Sequence, residues 1–254
     1  MTKISKLLKL LKAGYSQILG DNLVGIYIHG SYVLGSYNSA VSDLDYLVVV
    51  RCPLSLKSKQ HLMDFSLEYL WPISPAKGLE FHVLLFKHTQ HFSHPMPFDF
   101  HFSQAHYQEY LSGKEQYLTN MHGVDPDLAA HIMIINYAGE TLTGTPIKNV
   151  FSEVSKKAYW SSIYFDIANA EENIIQQPSY TILNLCRVLL YKQEQVIASK
   201  LTAGNWGRSR LPTRYSPTIK LAVLNYIHKN SQKEIFNQEN LNSFAEYMLR
   251  QISK

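Results

Sequence analysis

Two aspartates, Asp43 and Asp45, stand one residue apart where the chain enters an apolar run at residues 47–50. Successive side chains of a β-strand point to opposite faces, so this spacing predicts that both carboxylates project to the same side. Two like charges this close repel each other and resist burial. Carboxylate oxygens suit Mg²⁺, which typically binds one or two of them together with substrate phosphates. The pair therefore predicts a magnesium site; the plainer alternative is a capped turn at Asp43 and a solvated Asp45.

A glycine and a serine, Gly30 and Ser31, stand at the end of the stretch 23–30, whose composition predicts a strand. A Gly-Ser turn lets the chain bend sharply and offers backbone N–H groups and a hydroxyl to a phosphate. The Gly-Lys-Ser/Thr ending of a P-loop is missing here. The turn and the aspartate pair together predict a site for a metal-bound phosphate compound.

A third acid, Glu80, interrupts the apolar segment 78–86, which predicts another strand. If its carboxylate points from a neighbouring strand toward the aspartates, their charges raise its pKa, which suits a general base. The alternative is a glutamate in solvent on an edge strand.

The composition excludes several classes of protein. The chain has 254 residues, of which 46% are hydrophobic and 17% charged, as in an ordinary globular protein. It contains no apolar run long enough to span a membrane, and its N-terminal segment predicts an amphipathic helix rather than a signal peptide. The two cysteines lie far apart, and the net charge of +4 is spread along the chain. These features predict a cytoplasmic protein that binds neither membrane nor nucleic acid.

The order of predicted elements divides the chain in two. The first part reads helix, strand, strand, helix, strand, and the part after about residue 125 is helical, with glycines 204 and 207 expected between helices. We therefore predict an α+β protein with a mixed-sheet domain at residues 1–118 and a C-terminal helical bundle at residues 119–254.

The segment HGS…SDLDYLVVV resembles the signature of the nucleotidyltransferase superfamily: strand, Gly-Ser, short helix, Asp-x-Asp, strand. The whole chain is similar to aminoglycoside adenylyltransferases of the streptomycin and spectinomycin type, also in the segments LEFHVLLF, DLAAHI, TILNLCRVLLY and SKLTAGNWG. The resemblance implies ATP as co-substrate, Mg²⁺ as cofactor and a small acceptor, an aminoglycoside or an aminocyclitol.

The resemblance also implies roles for individual residues. It makes Glu80 the catalytic base, and it makes Arg187 and Lys200 ligands of the ATP phosphates contributed by the helical domain. By themselves, Arg187 in an apolar helix and Lys200 beside a predicted loop also fit a structural ion pair and a solvated lysine.

Two positions depart from the streptomycin-binding members. Where those members carry a tryptophan and an aspartate, an ungapped comparison places His101 and Gln177, which puts streptomycin in doubt. A cationic acceptor still has candidate acidic partners, for which solvated surface charge is the alternative: Asp99, Asp166, Glu171 and Glu172.

The leading hypothesis is an enzyme, acting as a monomer, that transfers AMP from ATP to a hydroxyl of a small molecule. The first alternative is a nucleotidyltransferase with a protein or RNA acceptor, which an open groove lined by Lys and Arg favours. The second is a nucleotide-binding regulator that has lost catalysis. The presence of Glu80 argues against it, because a protein that only binds a nucleotide does not need a general base.

Overall fold

A computed structural model describes residues 2–227 and 235–254. The helices are α1 Lys3–Leu19, α2 Gly30–Val33, α3 Leu56–Phe65, α4 Phe86–Gln90, α5 Tyr107–Ser112, α6 Lys114–Asn120, α7 Leu128–Ala138, α8 Lys156–Phe165, α9 Ala170–Gln176, α10 Pro178–Glu194, α11 Lys200–Arg210, α12 Ser216–Ile227 and α13 Gln238–Ser253. The strands are β1 Leu23–Ile28, β2 Leu44–Val50, β3 Leu79–Leu85, β4 Met96–Phe98, β5 Phe100–Phe102, β6 Gly123–Asp125 and β7 Glu140–Gly144.

The main sheet has five strands in the order β5-β3-β2-β1-β7. Strands β2 and β3 are parallel, and the other neighbouring pairs are antiparallel. The central strand β2 is buried over nearly its whole length, which explains its continuous apolar sequence, because a strand covered on both faces does not alternate. Strands β4 and β6 form a separate two-stranded ribbon.

Each face of the sheet supports a different hydrophobic core. Helices α1 and α3 cover one face, where Leu11 and Tyr15 pack against Tyr46 and Phe81. On the other face, Leu47 and other sheet residues join a large core formed mainly by the C-terminal helices. The mixed sheet with its helices and the helical C-terminal part confirm the predicted α+β class.

The sheet takes one strand from beyond residue 118. Strand β7 follows α7 directly and pairs with β1, so the part after residue 125, which the sequence predicts to be helical, contains a strand as well. Gly139 stands at this change, because a Cβ there would meet the Ile135 carbonyl at 2.6 Å. The boundary at residues 118 and 119 stays a prediction.

Helix α11 corrects another expectation. Gly204 and Gly207, which predict a loop by composition, lie inside this helix, which begins at Lys200. A Cβ on Gly204 would lie 2.8 Å from Val223, and one on Gly207 would lie 2.9 Å from the Cys186 sulfur. The glycines therefore allow α11 to pack closely on α10 and α12. No helix in the described part of the chain has the length and hydropathy of a membrane span.

Candidate active site

Three carboxylates converge where the neighbouring parallel strands β2 and β3 begin. Asp43 lies just before β2 and Asp45 within it, and Asp45 is the register partner of Glu80 on parallel strand β3. Side chains that are direct partners on parallel strands share one face. One carboxylate oxygen from each of the three residues lies within 4.8 Å of the others. We call Asp43, Asp45 and Glu80 the acidic wall.

The electrostatics of the acidic wall are those of crowded, buried acids. Burial, followed by the charges of Asp43 and Glu80, raises the pKa of Asp45 well above its usual range. Burial and the charge of Asp43 raise the pKa of Glu80 to about 7, although Lys200 acts in the opposite direction. Hard oxygen donors that repel one another suit a divalent cation, so the donor set fits Mg²⁺.

Gly30 and Ser31 hold the adjacent turn against this wall. Gly30 has φ +66°, a region that favours glycine, and a Cβ on it would collide with the Asp45 carboxylate. The Ser31 backbone N–H donates to Asp45. The Ser31 hydroxyl oxygen is buried and has no hydrogen-bond partner among the described residues. This orphaned hydroxyl can bind a ligand oxygen beside the carboxylates.

Two cations face the acidic wall from the C-terminal helices, and we call Arg187 and Lys200 the basic wall. Arg187 lies on α10 and donates to the Asp166 carboxylate, with Nη2 and Oδ2 2.6 Å apart. Lys200 is the first residue of α11, which Ser199 caps through a bond from the Thr202 N–H. The Lys200 Nζ lies 4.2 Å from the ring centre of Tyr180.

In the basic wall, the environment of Lys200 disfavours its charged form. Burial and the neighbouring charge of Arg187 lower the pKa of Lys200, while Asp166, Asp43 and Asp45 oppose that change. Arg187 forms an ion pair with Asp166, but its Nε has no hydrogen-bond partner among the described residues. An anion bound between the walls would complete the hydrogen bonding of Arg187 and favour the charged form of Lys200.

Both walls line one cleft. All the residues proposed from the sequence as catalytic, metal-binding or nucleotide-binding lie in it: Asp43, Asp45, Glu80, Gly30, Ser31, Arg187 and Lys200. At the outer end, four residues also line an adjoining, more apolar chamber: Val41, Lys77, Tyr180 and Tyr226.

Several residues of the cleft carry no sequence signal for function by themselves, namely His29, Asp127, His131, Tyr180 and Tyr226. Asp127 and His131 belong to the segment DLAAHI, so the resemblance pointed to them without assigning a role. Burial and the charge of Asp166 raise the pKa of Asp127 to about 7, and its Oδ1 has no partner among the described residues.

The candidate acids for a cationic acceptor divide between cleft and surface. Asp166 lines the cleft. Asp99 lies elsewhere and accepts a 2.9 Å hydrogen bond from the Leu54 N–H, and Glu171 and Glu172 are exposed on α9. Of the two departures from the streptomycin-binding members, His101 stacks on His82 with ring centres 3.8 Å apart, and Gln177 lines the adjoining chamber.

Comparison with known families agrees with this arrangement. The nucleotidyltransferase domain model matches residues 4–156, which is more than half of the chain. The chain belongs to the nucleotidyltransferase family. Residues 149–251 also match the model of the aminoglycoside adenylyltransferase C-terminal domain. The resemblance found in the sequence is thereby confirmed, and this nucleotidyltransferase has the two-part architecture of the aminoglycoside adenylyltransferases.

Individual relatives fall into two groups. A spectinomycin 9-adenylyltransferase of Enterococcus faecalis is 26% identical over 264 residues, covering 99% of this chain and 96% of the relative. A Methanocaldococcus jannaschii protein that its name assigns to the protein adenylyltransferases is 36% identical over 77 residues, which are 29% of this chain and 77% of that protein. The first similarity spans both parts of the nucleotidyltransferase, whereas the second spans less than a third of it.

A solved structure has the same fold. The crystal structure of the spectinomycin adenyltransferase of Enterococcus faecalis, with ATP and spectinomycin, superposes with a TM-score of 0.82 at 23% identity, covering 98% of this chain and 99% of that one. The agreement of folds extends through the C-terminal helices that carry the basic wall.

Proposed function

We propose that this nucleotidyltransferase transfers AMP from ATP to a hydroxyl group of a small molecule, an aminocyclitol or an aminoglycoside, with release of pyrophosphate, and that it acts as a monomer. One observation carries the proposal: two carboxylates on adjacent strands and a third just before one of them face a lysine and an arginine across a single cleft. A metal-bound triphosphate is the ligand whose charges match both walls.

In this proposal, Asp43 and Asp45 hold Mg²⁺. A bound divalent cation supplies neutralisation of the negative charge that develops on the phosphate oxygens. The observation in favour is the raised pKa of Asp45, whose charged form is poorly stabilised by the protein alone. The carboxylates therefore favour bound metal over two uncompensated charges.

The triphosphate lies between the walls in this proposal. The Ser31 hydroxyl and the backbone of the Gly30 turn contact it from the sheet side. Lys200 and the unused donors of Arg187 contact it from the helical side. These would be charge-assisted hydrogen bonds, which are stronger than hydrogen bonds between neutral groups. The adenine and ribose then extend toward Tyr180 and Tyr226, where the cleft opens into its more apolar chamber.

Glu80 is the proposed general base. The acceptor hydroxyl oxygen forms a bond to the α-phosphorus as the bond from that phosphorus to the pyrophosphate oxygen breaks, and the hydroxyl proton passes to Glu80. In the metal-free protein the pKa of Glu80 is about 7, which makes this carboxylate more basic than an ordinary glutamate. Positioning and electrostatic stabilisation supply the rest of the acceleration.

A cationic acceptor suits the remaining acids of the cleft. Asp127 and Asp166 lie there, and one oxygen of Asp127 has no partner among the described residues. An ammonium group bound beside these residues would stabilise their charged forms. The spectinomycin 9-adenylyltransferase is similar along nearly its whole length, so spectinomycin is the first acceptor to try.

A protein acceptor is the second candidate, favoured by the similarity to the archaeal relative named as a protein adenylyltransferase. The cleft argues for a small acceptor instead, since its walls belong to two packed parts of the chain and carry carboxylates as well as cations. An open groove lined by Lys and Arg is what a macromolecular acceptor would favour.

The test is release of pyrophosphate by purified protein with ATP and Mg²⁺, across spectinomycin, streptomycin and several other aminoglycosides. We expect release that depends on one acceptor, most of all spectinomycin, and that disappears in Asp45→Asn. Silence across the panel together with intact ATP binding would overturn the small-molecule acceptor. Failure to bind ATP would overturn the nucleotide site itself.

A further inference from the structure

One asparagine organises the turn that delivers Asp43 to the cleft. The Asn38 carbonyl accepts from the backbone N–H groups of Val41 and Ser42, and its Oδ1 accepts from the Ala40 N–H at 3.0 Å. Its own N–H donates to the Ser42 hydroxyl. Ser42 is bonded directly to Asp43 in the chain, so Asn38 fixes the approach to the acidic wall.

The same side chain reaches the opposite side of the cleft. Its Nδ2 donates to the backbone carbonyl of Ile227, 3.0 Å away, at the end of α12. Neither residue lines the cleft, but their neighbours do: Val41 and Ser42 on one side, and Tyr226 on the other. One amide therefore joins the two sides beside the ligand site.

The Asn38–Ile227 hydrogen bond joins two segments that are each tied to one wall of the cleft. The turn is anchored to the segment before β3, because Ser39 and Ser42 carbonyls accept from the N–H groups of Ala76 and Lys77. It is therefore tied to both strands of the acidic wall. Helix α12 packs against α10 and α11, the two helices that carry the basic wall.

We propose that Asn38 is a positioning residue that sets the spacing between the acidic wall and the basic wall, so that one metal–triphosphate complex contacts both. This role rests on the proposed function. A large core packs the two parts of the chain together, and Ile227 itself packs against it. The Asn38–Ile227 hydrogen bond adds a directional contact between this packed region and the turn that carries Asp43.

The structure offers a matched pair of variants. Asn38→Asp keeps an oxygen to accept from the Ala40 N–H but replaces the donor to Ile227 with a carboxylate that repels the carbonyl. Ser39→Asp adds the same charge one residue away, at an exposed side chain. A third variant, Asn38→Gln, keeps an amide donor and tests rescue.

Two ligands separate positioning from damage to the turn. Mn²⁺ alone contacts only the acidic wall, whereas Mg²⁺ with ATP contacts both. We expect Asn38→Asp to weaken binding of Mg²⁺–ATP about tenfold relative to Ser39→Asp, the equivalent of one lost hydrogen bond. Binding of Mn²⁺ alone should be equal in the two variants, and Asn38→Gln should recover part of the ATP affinity.

Each outcome decides between the claims. Equal Mg²⁺–ATP affinities in Asn38→Asp and Ser39→Asp overturn the role of Asn38 while the proposed function stands. Equal losses for Mn²⁺ and Mg²⁺–ATP in Asn38→Asp also overturn it, because they indicate a damaged turn. Wild-type protein that binds no Mg²⁺–ATP overturns the proposed function and this role with it.

Discussion

The acidic wall is built on adjacent strands of a sheet, whereas the basic wall is built on packed helices. Two of the acids are held by strand register, since Asp45 and Glu80 are partners on parallel strands, and Asp43 is held by the turn that precedes β2. The cations are held by partners and packing: Arg187 by Asp166, and Lys200 by Tyr180 and the close approach of α11 to its neighbours.

This difference teaches which properties each wall controls. A register partner cannot move without breaking the sheet, so the acidic wall is suited to the reacting centre, where small displacements are costly. Helices joined by side-chain contacts adjust more easily, so the basic wall is suited to ligand binding. If the walls divide their work in this way, changes in the acidic wall should have the largest effects on turnover.

Asp45→Asn should abolish transfer, with a loss of about 10⁴-fold, because the several kcal/mol that a bound metal contributes would be missing. The fold should survive, since the change removes a poorly stabilised buried charge. Steady-state pyrophosphate release and thermal unfolding without metal measure the two effects. An active Asp45→Asn would contradict the proposed metal site.

Glu80→Gln should lower kcat by about 10³-fold, within the range of general-base catalysis. The affinity for ATP should change little, because the side chain keeps its shape and the triphosphate contacts lie elsewhere. Single-turnover kinetics and ATP titration separate these quantities. Unchanged turnover would remove Glu80 from the mechanism.

Lys200→Ala should act mainly on binding, raising KM for ATP about 30-fold, which corresponds to one lost charge-assisted hydrogen bond. Lys200→Arg should recover part of the loss. If the walls divide their work as described, kcat at saturating ATP falls far less than in Glu80→Gln. An equal fall in kcat would erase the distinction between the walls.

Magnesium should stabilise the protein more at pH 8 than at pH 6. Glu80 has a folded-state pKa of about 7 against an ordinary 4.5, so its stabilising contribution in metal-free protein is complete below pH 4.5 and is lost as the pH rises through 7. Mg²⁺ held by Asp43 and Asp45 favours the deprotonated form of the neighbouring Glu80 and so reverses this loss. Thermal unfolding with and without Mg²⁺ at both pH values checks the sign, with Asp45→Asn as the control.

Gly204→Ala should have the smallest effect, lowering stability by about 1–2 kcal/mol through overpacking against Val223 and Leu183. The displaced α11 should also raise KM for ATP slightly through Lys200. Asn205→Ala, on the exposed side of the same helix, is the matched control and should not destabilise the protein. Equal stability of the two variants would show that α11 tolerates a wider separation.

The sequence by itself indicated the acidic wall and the two parallel strands beside it. Alternation along a strand is a local property, so the spacing of Asp43 and Asp45 before an apolar run already predicted that their carboxylates project to the same side. Glu80 was recognisable as an acid in an apolar strand. Arg187 and Lys200 had no comparable local signal, and only the resemblance drew attention to them.

Only the tertiary structure decided how the helical part completes the cleft. Glycines 204 and 207 are typical of a loop by composition. In the structure they lie in a helix, where the absence of a side chain at these two positions allows close contact with α10 and α12. Strand β7 follows a helix and returns to the sheet through pairing with β1. The partners Arg187–Asp166 and Asn38–Ile227 are distant in sequence. Such pairings depend on packing between distant segments, which no local pattern of residues encodes.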